Sequence, residues 1–167
     1  PVSSGFRNGV QAISVSLRAE ERDFWLDALA LEGLFPRLVT VDPFPLLASL
    51  PPRQNGIALL LHVQRECSTV ALLDNGVARR IRTLPAGWTP ETEAPGLNAV
   101  PPEQENAALR GLAVRLKHET ALVLEGTPFV PERLLAYGEA FLRNGAAARF
   151  AEVFETPVSV PGQDSPL

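Results

Sequence analysis

Apolar residues change their spacing several times along this chain, and each change marks a different element. Ile13, Val15 and Leu17 alternate with Ser14 and Ser16, the two-residue period of a half-buried strand, so residues 10–17 are predicted as extended. From Ala19 the period lengthens. Phe24, Leu26, Ala28, Leu29, Leu31 and Leu34 follow the acidic Glu20, Glu21 and Asp23, which suit the positive end of a helix, and Gly33 is placed to end it. A short strand over 37–42 (RLVTVD) and a proline-led helix over 43–50 (PFPLLASL) complete a strand-helix-strand-helix unit, stopped by Pro51 and Pro52.

Residues 57–63, 69–73 and 77–84 are three β-type runs, the last two separated only by Asp74, Asn75 and Gly76. Asn-Gly between apolar runs is a strong hairpin signal, so the three are predicted as consecutive antiparallel strands. The third carries Arg79, Arg80 and Arg82, which read as a solvated strand face rather than a phosphate site. Residues 85–102, with five prolines, form a connector. Ala108, Leu109, Leu112, Leu116, Thr120 and Val123 then recur at helical spacing, predicting the longest helix over 103–125 with one apolar stripe against the sheet. A strand at 133–137, a turn, a helix at 146–154 and a last strand at 157–160 follow.

Composition narrows the class. With 167 residues, 46% hydrophobic and 20% charged, the chain is an ordinary globular one, long enough to bury roughly 70% of its unfolded surface. A net charge of −4 supplies no basic field for nucleic acid. The longest apolar run, 57–61, is far short of the ~20 residues of a membrane helix, so no span is expected. The sequence begins at Pro1 and contains no Met, which reads as a piece of a longer chain.

Candidate chemistry is sparse. There is no phosphate-binding glycine loop ending in Lys-Ser or Lys-Thr, no GxSxG, no HExxH and no CxxC. The one cysteine, Cys67, excludes an internal disulfide, fits a reducing compartment and has no oriented base in sequence; it reads as a packed or turn residue. Two histidines leave little for a metal: His118 reads as a surface residue of the long helix, and His62 as a strand-end residue tied to a loop. No catalytic residue, metal ligand or cofactor is assigned.

Three segments carry a resemblance. AEERDFWLDALALEGLFPRLVTVDPFPLLASL (19–50), IALLLHVQRECSTVALLDNGVARRIRTLPAGW (57–88) and RLLAYGEAFLRNGAAARFAEVFETPVSV (133–160) resemble, more through pattern than letters, the actin-like ATPase-fold family of the type IV pilus assembly protein PilM and the related cytoplasmic part of the type II secretion protein GspL. The resemblance implies an α/β, actin-like (ribonuclease H-like) fold with a mixed sheet flanked by helices and an incomplete first half. Residues 1–52 would end the first domain and 53–167 form the second.

The departures from that family bear on function. Where nucleotide-binding relatives carry Asp-x-Gly after the first strand of this half, the chain has His62-Val63-Gln64, and the paired glycines near adenine correspond to Gly138-Glu139. A side chain at Gln64 and a carboxylate at Glu139 oppose close approach of an anionic nucleotide. Residues 85–102 are also too short for the usual inserted subdomain. The resemblance therefore implies a non-enzymatic scaffold without cofactor, docking protein partners of a pilus or secretion inner-membrane platform from the cytoplasmic side. The alternatives are an ATP-binding relative whose phosphate loop lies outside this sequence, a sugar-kinase fragment, or an unrelated α/β binding module. Ile13, Val15, Leu17, Val39 and Val41 would form an open sheet edge, a candidate interface for a partner or for a second copy.

Overall fold

In the computed structural model, residues 16–40, 44–50, 55–89 and 101–161 are described, and they fall into two units, 1–41 and 42–167. The first unit contains α1, Ala19–Leu31. It ends as Gly33 allows: with φ +73°, Gly33 donates to Ala30 while Leu34 reaches back to Leu29, the paired bonds that satisfy a helix's last carbonyls. The strand expected over 37–42 does not form at 37–40, where Leu38 and Val39 are exposed and no described strand lies alongside to accept their ladder bonds. Ile13, Val15 and Val41 lie outside the described residues, and Leu17 is half-exposed and in no strand.

The second unit is built on α2 (Phe44–Ser49), β1 (Ile57–Val63), β2 (Ser68–Asp74), β3 (Val77–Leu84), α3 (Pro102–Leu124), β4 (Arg133–Tyr137), α4 (Ala146–Phe154) and β5 (Val158–Ser159). The sheet order is β3-β2-β1-β4-β5: the first three strands are antiparallel neighbours, as the Asn75-Gly76 turn predicts, and β4 and β5 add parallel to β1. The expected last strand shortens to two residues. β1 and β2 are buried on both faces, so they read as near-continuous apolar runs.

One face of the sheet, carrying Leu59, Leu61, Val63, Val70, Leu72, Leu134 and Ala136, packs under α3 and α4 through Leu109, Leu116, Phe150 and Phe154. The buried stripe of α3 runs Leu109, Ala113, Leu116, Thr120 and Val123. Ala108, expected in that stripe, is exposed and Leu112 is only half-buried, because the helix turns Ala113 onto the sheet instead. The opposite face, with Ala58, Leu60, Ala71, Leu73 and Leu135, receives Leu46, Leu47 and Leu50 from α2 and its end. That packing places α2 in the second unit, 42–167.

Candidate functional site

The carboxyl ends of β1 and β4 carry the residues singled out from the sequence. His62 is half-buried, on the α2 side of the sheet, opposite Thr69 on β2 and Tyr137 on β4. Thr69 in turn lies opposite Thr83, their hydroxyl oxygens 3.4 Å apart. Thr83, Thr69, His62 and Tyr137 thus make one polar row across four strands, a feature invisible in sequence because it needs the register of all four. Burial pushes the Tyr137 phenol above its ordinary value.

Beyond His62 the chain turns through 64–67, and this turn is closed on itself. The Gln64 N–H donates to the Cys67 carbonyl at 2.9 Å, and the Cys67 thiol donates to Gln64 Oε1 at 3.1 Å. Cys67 is therefore a turn residue, as its sequence setting suggests. The chain leaving β3 wraps one side of the turn: Trp88 N–H donates to the Gln64 carbonyl at 2.8 Å, Thr89 Oγ1 to the Arg65 carbonyl at 3.2 Å, and buried Ser68 Oγ to the Ala86 carbonyl. Between these bonds Gly87 lies so close that a Cβ would collide with the Arg65 carbonyl. On the other side Gly138, at φ +103°, lies against the Val63 carbonyl, where a Cβ would also collide. Gly138 has a packing reason to be glycine, independent of any nucleotide.

Glu139 begins a short 3-10 turn, Glu139–Leu142, and its carboxylate meets Arg65 Nε at 3.2 Å, tying the two turns together across the mouth. The four positions His62, Gln64, Gly138 and Glu139 are thus neighbours around one strand end. What they present is a turn whose leading amide is bonded to Cys67 and whose rim carries the Arg65–Glu139 ion pair. Sequence reasoning missed the contribution of 86–89: within a proline-rich connector, Ala86 and Trp88 are buried, and Trp88 Nε1 has no hydrogen-bond partner among the described residues.

The other candidates are placed elsewhere. Arg79 pairs with Asp74 at 2.7 Å, Arg82 approaches Glu119 on α3 at 3.6 Å, and Arg80 reaches the carbonyls that end α3. These bonds give the β3 arginines structural partners. His118 is exposed on α3. Among the described residues no group of three His, Cys, Asp or Glu is placed to hold a metal, and no helix is long and apolar enough to cross a membrane.

No protein-family model matches the sequence, and none of the curated proteins compared with it does. Solved structures do match. A chain of the "PilM-PilN type IV pilus biogenesis complex" aligns at TM-score 0.59 with 22% identity, over 84% of this chain and 47% of that one. The ethanolamine utilization protein EutJ from Carboxydothermus hydrogenoformans aligns at TM-score 0.59 with 13% identity, over 87% of this chain and 57% of that one. The chain spans about half the length of these neighbours. Its five-stranded mixed sheet flanked by helices is that of the actin-like ATPase fold, of which it carries a part.

Proposed function

We propose that the chain is a non-catalytic, actin-like scaffold domain that docks protein partners in a bacterial type IV pilus or type II secretion assembly at the cytoplasmic face of the inner membrane. The observation that carries the non-catalytic half is the closed turn at 64–67: its leading amide is bonded to Cys67, and Gly87 and Gly138 hold backbone against it from both sides. A phosphate at this strand end would find the Gln64 amide already bonded and would meet Glu139, whose carboxylate already holds Arg65. The docking half is supported by the fold's likeness to a protein solved in a PilM–PilN complex.

Titration calorimetry with ATP and magnesium tests the first half; no heat of binding up to millimolar nucleotide is expected, and a micromolar dissociation constant would establish an ATP-binding protein instead. Titration against the PilN counterpart of the same organism's pilus machinery tests the second. Saturable one-to-one binding supports pilus docking, and no binding at high micromolar concentration counts against it.

A further inference from the structure

Asparagine followed by glycine occurs four times in the chain, at 8–9, 55–56, 75–76 and 144–145, the first of them outside the described residues. Each such pair can react with itself. The backbone nitrogen after an asparagine can close a five-membered ring on the side-chain amide carbon, and a glycine there, with no Cβ, leaves the approach open. The nitrogen must first give up its proton and the amide must turn toward it, so hydrogen bonds at either group hold the reaction back.

The three described pairs differ in this respect. Two of them grip each other: the Gly56 N–H donates to Asn75 Oδ1 at 3.1 Å, and the Asn75 N–H donates to the Gly56 carbonyl at 2.9 Å. Asn75 Nδ2 is held as well, donating to Asp74 Oδ1 at 2.8 Å. One bond thus engages both the attacking nitrogen of the 55–56 pair and the amide under attack in the 75–76 pair. At 144–145 neither group is engaged. Asn144 is exposed in the turn that leads into α4, and among the described residues neither its side chain nor the Gly145 N–H has a hydrogen-bond partner.

We propose that Asn144 is a site of spontaneous deamidation, while the 55–56 and 75–76 pairs protect each other from the same reaction. The Gly145 nitrogen, its proton passed to solvent hydroxide, attacks Asn144 Cγ. That C–N bond forms, the side-chain nitrogen leaves as ammonia with a proton taken from water, and a cyclic imide remains. Water then opens the ring at either carbonyl, giving aspartate or isoaspartate. Either product adds a negative charge just before the first turn of α4, where the helix dipole favours an anion. Isoaspartate also lengthens the backbone span that the Ala146 N–H to Arg143 carbonyl bond now closes at 3.2 Å. The chain therefore carries an irreversible, time-dependent charge change in the segment that follows the Glu139 turn.

The full chain, aged at neutral to mildly alkaline pH and digested with trypsin, is mapped by mass spectrometry with isoaspartate-specific methylation. Cleavage after Arg53, Arg65, Arg79, Arg143 and Arg149 leaves Asn55, Asn75 and Asn144 in separate peptides. Asn144 should convert about tenfold or more faster than Asn55 and Asn75, whose hydrogen bonds must open first. In guanidinium chloride, where none of these bonds persists, the three rates should converge. Asn75→Gly suits the left-handed turn position, φ +51°, and frees the Gly56 N–H, so it should speed the conversion of Asn55, with circular dichroism reading the fold in parallel. Conversion of Asn55 or Asn75 as fast as that of Asn144 in the folded chain, rates that stay apart in denaturant, or an Asn55 indifferent to Asn75→Gly in a folded variant would each overturn the proposal.

Discussion

Arg80, on the edge strand β3, closes the carboxyl end of α3: its Nη1 donates to the carbonyl of Glu125 at 2.7 Å and to that of Val123 at 3.1 Å. A cation on the last carbonyls of a helix satisfies acceptors that have no intrahelical partner and sits at the negative end of the helix dipole. Arg80→Ala is expected to lower stability by about 1–2 kcal/mol, with Arg80→Lys in between because the lysine ammonium ends one bond short of the Nη1 position. Urea denaturation of the two variants checks the order. An Arg80→Ala protein as stable as the parent would show that the strand and helix need no such tie.

Three glycines separate two kinds of constraint. Gly126 has φ +68° and open space around it, so Gly126→Ala meets only the backbone penalty of about 1–2 kcal/mol. Gly138→Ala adds a collision with the Val63 carbonyl and is expected to cost more than about 3 kcal/mol. Gly87→Ala, where no positive φ is involved, isolates the collision with Arg65. Chemical denaturation should rank the losses Gly138 above Gly126, with Gly87 clearly destabilising. Equal losses at Gly126 and Gly138 would mean that the β1 end relaxes away from its neighbour.

The ion pair across the mouth of the turn should contribute little to stability. Arg65 and Glu139 side chains are each 52% exposed, and pairs of this exposure contribute about 0–1 kcal/mol. Arg65→Ala is therefore expected to change stability by less than about 1 kcal/mol, well below Gly87→Ala on the segment packed against that turn. Thermal denaturation of both variants at low and high salt checks this, the small Arg65 effect shrinking as salt is added.

Tyr137 gives the fold an alkaline dependence. Burial raises its pKa from the ordinary 10.0, so the folded state keeps the phenolic proton after the unfolded state has lost it. The stabilisation is complete below pH 10 and is lost as pH rises through the folded-state pKa. Tyr137 is the chain's sole tyrosine, so tyrosinate absorbance titrates it directly, and a midpoint above 10 is expected. Tyr137→Phe should be more resistant to unfolding above pH 10 relative to its own stability at pH 8 than the parent is.

The sheet's local half was legible from sequence. Asn75, at φ +51°, and Gly76, at φ +80°, form the turn that joins β2 to β3, and the runs beside them alternate or fill as strands do. The placement of β4 was not, because joining β1 in parallel requires a crossover whose partner no local pattern names. The site was half legible. His62, Gln64, Gly138 and Glu139 emerged from resemblance, and the structure gathers them at one strand end. The burial of Trp88 was hidden, since it lies in a connector whose prolines suggest exposure, and the Gln64–Cys67 closure is a turn geometry that the residue letters alone do not specify. In the first unit the expected strand at 37–40 failed for a related reason: extended residues form a ladder only beside a neighbour.

The two glycines that confine the 64–67 turn reach it from very different distances along the chain. Gly87 follows its target within one β-meander, whereas Gly138 arrives only after α3 has crossed the sheet and β4 has docked on β1. Contacts of short sequence separation form with little loop-closure cost, and distant ones wait for the topology to assemble. The meander can therefore take shape early with its turn covered on one flank alone, and the second flank closes as a late step of folding. In the order of events, the strand end that the mature protein holds shut is among the last places to shut.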